Sequence, residues 1–363
     1  MNTESDTGNQ AQKPNVLEPP KVFDEAKLLG APVRRAAYSD RTAWIMSAMS
    51  DLAYFRFEGG QDFVGLAKDL VSIKSTSDIQ DRLRKFLQEM DTNAEDGRAA
   101  LAACLKEAGF DLVNVYNIAD SQAFLAKKTK KSSGDGMRVL AFRGTEQKLA
   151  DFKTDLKAEL IKAPDANTEE LIHKGFYEAF NSVRKEVDRD LGKDKDLPLY
   201  VTGHSLGGAL AIVATRFIAK DSLGACYTFG SPRVGNLDMS LVFRTPIYRI
   251  VNSSDIVPRT PPAWILTPII TLLKWLHLPN WLTQFLERFQ GYVHFGDMRY
   301  LSHVNAGDND KFPNLRLLSN PSLPLRARWV IIRWISTFGR SGIEDHSISL
   351  YRRKLKAYAL SRN

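Results

Sequence analysis

Apolar residues recur at helical spacing in some stretches of the chain and form short continuous runs in others. The helical spacing predicts helices over residues 38–57, 63–72, 79–90, 95–108, 149–160, 171–191 and 209–219. A change of period and short, mainly apolar segments predict strands over residues 110–117, 122–128, 137–142, 199–202, 225–229, 247–251 and 297–301. Ser39 or Asp40 is suited to cap the first helix, and Gly109 to end the fourth. The alternation of helices with strands predicts an α/β fold with a mainly parallel sheet covered on both faces.

This pattern extends over one large domain, which we place at residues 26–363, after a polar tail at residues 1–25 that we expect to be disordered. An apolar insertion interrupts the domain at residues 262–291. Residues 263–286 include 15 apolar residues of 24 and a single charge, Lys274. Pro268 and Pro279 divide the stretch, so it is too short to span a membrane. It is either a cap packed as ordinary core or an amphipathic lid that opens onto lipid.

Composition narrows the class of protein. An apolar content of 44% and a charged content of 25% are typical of a globular protein. Two cysteines do not make a disulfide framework, and no metal or organic cofactor is expected. The N-terminal tail lacks the features of a secretory signal, which predicts a cytoplasmic protein or one exported without a cleaved signal.

The positive charge is concentrated near the C-terminus. The net charge of the chain is +8, and residues 324–363 contain nine Lys and Arg against two Asp and Glu. The basic helices expected at residues 323–363 are either an ordinary solvated surface or a surface that adheres to anionic membrane. Nucleic acid is disfavoured as a partner because no nucleic-acid-binding motif is visible.

The most informative motif is G-x-S-x-G, formed by Gly203, His204, Ser205, Leu206 and Gly207 between a predicted strand and a predicted helix. This context is that of a nucleophile elbow, in which a strained turn exposes the serine hydroxyl above the sheet. We therefore predict that Ser205 is the nucleophile of an acyl-transfer enzyme.

A serine nucleophile needs a base, an acid and at least two donors for the oxyanion. In this fold class the acid and then the base follow the serine along the chain. Asp255 follows the predicted strand 247–251 at its carboxyl end, where functional residues of open α/β sheets collect. It is therefore the candidate acid.

The candidate base is one of six histidines. Chain order excludes His173, and we also set aside His204 within the elbow and His277 within the apolar insertion. Among the remaining His294, His303 and His346, we favour His346 because it opens the last predicted helix and can lean over the sheet.

The candidate oxyanion donors flank the elbow. The backbone N–H of Leu206 lies at a helix N-terminus, where the helix dipole favours negative charge. The loop Arg143-Gly144-Thr145 follows an earlier strand, and Thr145 offers both an N–H and a hydroxyl.

Seven segments resemble, in the same order, those of the class 3 lipases, the Rhizomucor-type family of α/β-hydrolases. They are residues 142–145, 173–176, 203–209, 228–236, 252–258, 292–296 and 345–346. The resemblance implies an α/β-hydrolase fold, a triad of Ser205, Asp255 and His346, and an oxyanion hole of Thr145 and Leu206. It also implies that His294 is structural. Two departures are the insertion at 262–291 and a segment 151–155 that lacks the tryptophan usual in the family.

Together these features predict a serine ester hydrolase acting on lipid esters at a membrane or micelle interface. Triacylglycerol lipase and phospholipase A1 both fit. The alternative is a catalytically silent lipid-binding or interaction protein on the same fold.

Overall fold

A computed structural model of the chain describes residues 18–30, 36–55, 76–118, 121–129, 136–144, 159–166, 168–192, 197–219, 221–261, 263–277, 279–287, 289–307, 311–337 and 340–362. The predicted helix at 63–72, nearly all of the one at 149–160 and most of the N-terminal tail lie outside these ranges. The end of the predicted helix at 149–160 is described, and there a strand begins at Leu160 instead.

The core of the fold is an eight-stranded sheet with the order β1-β2-β3-β6-β7-β8-β9-β10. Strands β3, β6, β7, β8 and β9 run parallel, and antiparallel strands flank them at both edges. The strands are β1 (Asp111–Ile118), β2 (Ser121–Lys128), β3 (Met137–Phe142), β4 (Leu160–Lys162), β5 (Leu171–His173), β6 (Leu199–His204), β7 (Cys226–Phe229), β8 (Ile247–Asn252), β9 (Asp297–Leu301) and β10 (Leu317–Ser319). Strands β4 and β5 form a separate small sheet. The predicted mainly parallel α/β sheet is confirmed.

Helices cover both faces of this sheet. They are α1 (Asp40–Leu52), α2 (Thr76–Glu107), α3 (Lys174–Leu191), α4 (Leu206–Ile218), α5 (Leu237–Ser240), α6 (Ala263–Trp275), α7 (Asn280–Glu287), α8 (Leu323–Ser336), α9 (Ser341–Glu344) and α10 (Ile348–Ser361). Trp44 of α1 and Leu355 of α10 are buried in the core of one face, and Phe180 of α3 and Ala211 of α4 in the core of the other. Strands β3, β6 and β8 are buried along their whole length, as expected of parallel strands covered on both faces.

The predicted end residues of two helices are confirmed. Ser39 is the N-cap of α1, where its side chain accepts a hydrogen bond from the Thr42 N–H. Gly109 has a φ of +77° just after α2, a conformation that favours glycine.

Several predicted helix boundaries are wrong, and α1, predicted over residues 38–57, ends at Leu52. Residues 79–90 and 95–108 belong to one continuous helix, α2, because the polar residues between them include no proline to interrupt its hydrogen bonds. Residues 171–173 form strand β5 before α3 begins, and His173 caps that helix by accepting a hydrogen bond from the Phe176 N–H. Helix α4 begins at Leu206, three residues earlier than predicted.

The apolar insertion forms the helices α6 and α7, and α6 continues through Pro268. None of the helices within the described ranges is long and apolar enough to cross a bilayer.

Candidate active site

The turn between β6 and α4 holds Ser205 in a strained backbone conformation, with φ 56° and ψ −127°. The flanking glycines make this turn possible. A Cβ at Gly203 would collide with the backbone of Gly207, and one at Gly207 with the backbone of Phe142. The close approach of β6, α4 and β3 therefore fixes the position of the Ser205 hydroxyl at the carboxyl end of the sheet.

The three residues predicted as nucleophile, base and acid lie in one hydrogen-bonded line. The Ser205 Oγ is 2.9 Å from the His346 Nε2, and the His346 Nδ1 is 2.9 Å from each carboxylate oxygen of Asp255. All three side chains are buried. Because the carboxylate can only accept, Nδ1 carries the imidazole proton and Nε2 is free to accept the proton of the Ser205 hydroxyl.

Asp255 is held by two further donors. The Tyr351 hydroxyl donates to Oδ2 across 2.6 Å, and the backbone N–H of Val257 donates to Oδ1 across 3.0 Å. Complete burial raises the pKa of Asp255, and the bonds from His346, Tyr351 and Val257 oppose that rise. Sequence reasoning missed Tyr351, although it lies only five residues after His346 on the last helix.

The loop that carries His346 is tied to the strand that leads to Asp255. The amide of Asn252 donates to the backbone carbonyl of Asp345 across 2.9 Å, and the backbone N–H of Ser254 donates to the Asp345 carboxylate across 3.0 Å. These buried bonds position His346 relative to Asp255.

A second element that sequence reasoning missed is Gly230, just after β7. Its φ is +59°, and a Cβ there would lie 2.9 Å from the His346 Nδ1 and 2.6 Å from an Asp255 carboxylate oxygen. A side chain at this position would therefore push the base and the acid apart.

The residue beside the nucleophile, His204, points away from the Ser205 hydroxyl, as expected. Its Nε2 is bonded to the backbone carbonyl of His346 across 2.6 Å, and its Nδ1 lies 2.8 Å from the Tyr54 hydroxyl. Burial, followed by the nearby His346, holds the pKa of His204 well below its usual value, so the ring is neutral. It therefore bridges the turn after α1 and the loop that carries His346.

Of the two predicted oxyanion donors, one lies within the described ranges. Leu206 is the first residue of α4, so its N–H has no partner inside the helix and lies at the positive end of the helix dipole. Gly144 lies against the backbone of His204 and the hydroxyl of Tyr54, where a Cβ would collide with both. Thr145 lies outside the described residues.

The other two candidate bases lie in different surroundings. The Nε2 of His294 donates to the backbone carbonyl of Pro258 across 2.5 Å. The half-buried His303 has an Nδ1 without a hydrogen-bond partner. The structure thus brings His346, and not these two residues, to within hydrogen-bonding distance of Ser205.

The apolar insertion does not bury all of its large side chains. Leu266 and Ile270 of α6 are buried, but Trp275 is 73% exposed and Trp281 of α7 is 69% exposed. The side chain of Trp264 lies outside the described residues. The exposure of Trp275 and Trp281 excludes the alternative in which the whole insertion is packed as ordinary core.

Comparison with known proteins identifies this arrangement. Residues 139–264 match the family described as lipase (class 3). The central region of the chain is therefore similar to that of class 3 lipases. The region includes the elbow, the acid loop and the strands that position them.

Individual relatives match only part of this chain. It is 37% identical over 121 residues to toxin TseL of Vibrio cholerae, which covers 32% of this chain and 19% of the toxin. It is 41% identical over 100 residues to secreted mono- and diacylglycerol lipase 1 of Fusarium solani, which covers 25% of this chain and 30% of that lipase. A solved complex of Rhizomucor miehei lipase with its propeptide is 24% identical, with a TM-score of 0.41 over 55% of this chain and 58% of that one. The chain thus spans less than a third of the length of these two curated relatives.

Proposed function

We propose that this protein is a serine carboxylic ester hydrolase that cleaves lipid esters, as a triacylglycerol lipase or a phospholipase A1. The observation that carries the proposal is the line of hydrogen bonds from Ser205 through His346 to Asp255, at the elbow of a class 3 lipase region. The proposed nucleophile, base and acid are these three residues, in that order.

In the first half of the reaction, the Ser205 hydroxyl gives its proton to the His346 Nε2 while the Oγ attacks the ester carbonyl carbon. The carbonyl oxygen becomes an oxyanion, which the Leu206 N–H stabilises together with a second donor that we assign to Thr145. His346 then protonates the leaving alcohol, and an acyl-enzyme remains on Ser205.

In the second half, water gives a proton to His346, and its oxygen attacks the acyl carbon. Collapse of the second tetrahedral intermediate returns the proton to Ser205 and releases the fatty acid. Asp255 stabilises the imidazolium that forms in each half and keeps the ring in the tautomer that attack requires.

Two exposed surfaces support a lipid as the substrate. The insertion presents Trp275 and Trp281 to solvent, as described above. On α8 the arginines Arg326 and Arg333 face inward, whereas three isoleucines are exposed by 52% to 65%. The three are Ile331, Ile332 and Ile335. Such outward apolar faces, next to a strongly basic C-terminal region, fit a peripheral enzyme that contacts an anionic lipid interface.

The deciding experiment measures p-nitrophenol release from p-nitrophenyl butyrate by the full chain. Ser205→Ala should lower kcat by about a thousandfold or more while circular dichroism and Tm stay near wild type. Ser240→Ala, at a serine whose hydroxyl bonds within its own short helix, should keep the wild-type rate. A wild-type chain that folds, binds lipid and releases no p-nitrophenol would support the silent lipid-binding alternative instead.

A further inference from the structure

Three arginines that the proposed chemistry does not use come together beneath α8. Arg249 lies on β8 directly opposite Met298 of β9, and the Arg326 Nη1 of α8 is 3.7 Å from the Met298 sulfur. Arg233, in the loop after β7, lies close enough for its charge and that of Arg326 to act on Arg249. We call Arg233, Arg249 and Arg326 the arginine cluster.

The arginine cluster has little negative charge to balance it. Arg249 is only 7% exposed, and its Nε is buried without a hydrogen-bond partner, as is the Nε of Arg326. Arg233 donates to the backbone carbonyls of Arg259 and Pro261, which are neutral acceptors. Within the described ranges, the carboxylate that stabilises the Arg249 cation is Asp297, whose side chain is 56% exposed.

Other buried arginines of the same chain are given oxygen acceptors. Arg216 donates to the Glu170 carboxylate across 2.7 Å. Arg138 donates to the backbone carbonyls of Leu191 and Leu197 across 2.8 and 2.9 Å. Within the described residues, Arg249 has no such oxygen acceptor, and two further guanidinium groups lie near it.

The repulsion among the three guanidinium groups is not relieved by loss of a proton. Burial, followed by the charge of Arg326, lowers the pKa of Arg233 to about 10, and burial with Arg233 and Arg326 lowers that of Arg249 to about 9. Both groups therefore remain cations at neutral pH. His294 beside them is held neutral, because burial and then Arg249 and Arg233 keep its pKa well below the usual value. The cluster is thus a concentration of positive charge that favours an anion.

The cluster lies next to the proposed active site. The Arg233 Nη1 is bonded to the carbonyl of Arg259 across 2.7 Å, and Arg259 follows Asp255 by four residues in the acid loop. Arg233 itself follows Gly230, which lies against the side chains of Asp255 and His346. The cluster is therefore joined to the segment that follows the proposed acid.

We propose that the arginine cluster binds a phosphate group, either that of a phospholipid head or inorganic phosphate. The planar guanidinium fork matches phosphate oxygens in pairs, and a half-buried site strengthens each charge-assisted bond. Binding of a phospholipid head group rests on the proposed function. It would make the protein an esterase that prefers phospholipids to neutral glycerides.

Binding itself is tested without turnover. The Tm of the full chain is measured in inorganic phosphate and in sodium chloride of equal ionic strength, because a ligand that binds the folded state alone raises Tm. Wild type and Arg328→Ala, a control at an exposed arginine on the same helix, should gain about 2–4 °C in phosphate. Arg326→Ala and Arg249→Leu should gain none.

Two variants are used in case one of them does not fold. Arg249→Leu removes a buried charge and Arg326→Ala a half-buried one, so at least one of them is expected to fold with a measurable Tm. Phosphate that stabilises wild type no more than chloride does, or that stabilises both cluster variants as much as wild type, would overturn the proposal.

A second measurement assigns the source of the phosphate. It compares kcat/KM on a phospholipid and on a diacylglycerol of the same acyl chains in mixed micelles. For a head-group site, Arg326→Ala loses about tenfold on the phospholipid relative to Arg328→Ala and nothing on the diacylglycerol. For an inorganic phosphate site, Arg326→Ala changes kcat/KM equally on the two substrates, and the effect of phosphate on the Tm of the wild type persists. If the wild type hydrolyses neither substrate, the proposed function fails while the Tm measurement still decides the arginine cluster.

Discussion

The Nε2–H of His204 donates to the backbone carbonyl of His346 across 2.6 Å, so the residue before the proposed nucleophile holds the main chain of the proposed base. The two imidazole rings are 4.4 Å apart between centroids and tilted by 35°. Since Nε2 carries the proton of His204, its Nδ1 accepts the hydrogen bond from the Tyr54 hydroxyl. His204 is therefore a positioning residue with a fixed tautomer.

Replacement of His204 by Phe keeps an aromatic ring in the same packing but removes both bonds. We expect kcat for p-nitrophenyl butyrate to fall about tenfold with little change in KM, because loss of about 1.4 kcal/mol of positioning acts on the chemical step. Tyr54→Phe, which leaves the bond to His346 in place, should lose less than about threefold in kcat and show its effect in Tm instead. Equal kcat losses in the two variants would contradict a role for the Nε2 bond.

The hydroxyl of Tyr351 helps to hold the carboxylate of Asp255, the proposed acid. It donates to Asp255 and also accepts from the Asn252 N–H across 2.9 Å. Tyr351→Phe should lower kcat by about ten- to a hundredfold, because a hydrogen bond to a charged group contributes about 1.5–3 kcal/mol. Tyr300→Phe is the matched control, since the Tyr300 hydroxyl bonds the carbonyl of Ser253 in the same loop without touching Asp255. A Tyr351→Phe enzyme at wild-type kcat would show that this bond supports folding only.

Stability should fall as the solution becomes acidic, and His173 is a testable part of that fall. Burial lowers its pKa from the usual 6.5 to about 4, so between these pH values the unfolded chain binds a proton that the folded chain does not. The folded state therefore loses stability as pH falls from 6.5 towards 4, by about 2 kcal/mol at pH 5 for this buried side chain.

His173→Asn isolates this contribution, because asparagine is also a good N-cap for α3 and does not titrate. Urea unfolding at pH 7 and pH 5 should show a smaller loss of free energy of unfolding for the variant than for wild type. The loss is a difference within each protein, so effects of other titrating groups cancel between them. Identical losses would mean that His173 titrates alike in the folded and unfolded chains.

Local patterns carry most of what could be predicted from the sequence. The elbow is a strand, a tight turn and a helix in consecutive residues, so the position of Ser205 follows from neighbours along the chain. The buried parallel strands are visible as short, mainly apolar segments for the same reason. The predicted break within α2 was wrong because the polar residues there do not interrupt the helix. Strand β5 was missed because Leu171–His173 form a strand only by pairing with Leu160–Lys162 in the small sheet.

The rest of the site depends on contacts between distant residues. His204 and His346 are 142 positions apart, and Tyr351 and Asp255 are 96 apart. No periodicity indicates such pairs, and the need for glycine at position 230 becomes visible only when Asp255 and His346 are packed against it. Likewise, Arg233, Arg249 and Arg326 are unremarkable in the sequence, and only the fold brings them together.

The last prediction concerns the helices of the insertion. Activity should rise sharply when the substrate passes from monomers to micelles or vesicles, because the exposed rings of Trp275 and Trp281 gain an apolar environment at the interface. Each large side chain removed from water contributes roughly 2 kcal/mol, so the pair can supply several kcal/mol to binding or to a shift of a closed form towards an open one. On anionic vesicles the basic C-terminal region should add attraction that weakens with salt.

The measurement is a substrate titration across the critical micelle concentration for wild type and for the double variant Trp275→Ser with Trp281→Ser. We expect the double variant to keep the wild-type rate on monomeric ester and to lose most of the increase at the micelle concentration. Leu223→Ser is the control, because Leu223 is as exposed as Trp275, at 73%, but lies before β7, at the amino end of the parallel strands, away from the proposed active site. A smooth curve without a rise in wild type would make the insertion a fixed cap. A rise that the double variant retains would assign interfacial contact to another surface, such as the outward isoleucines of α8.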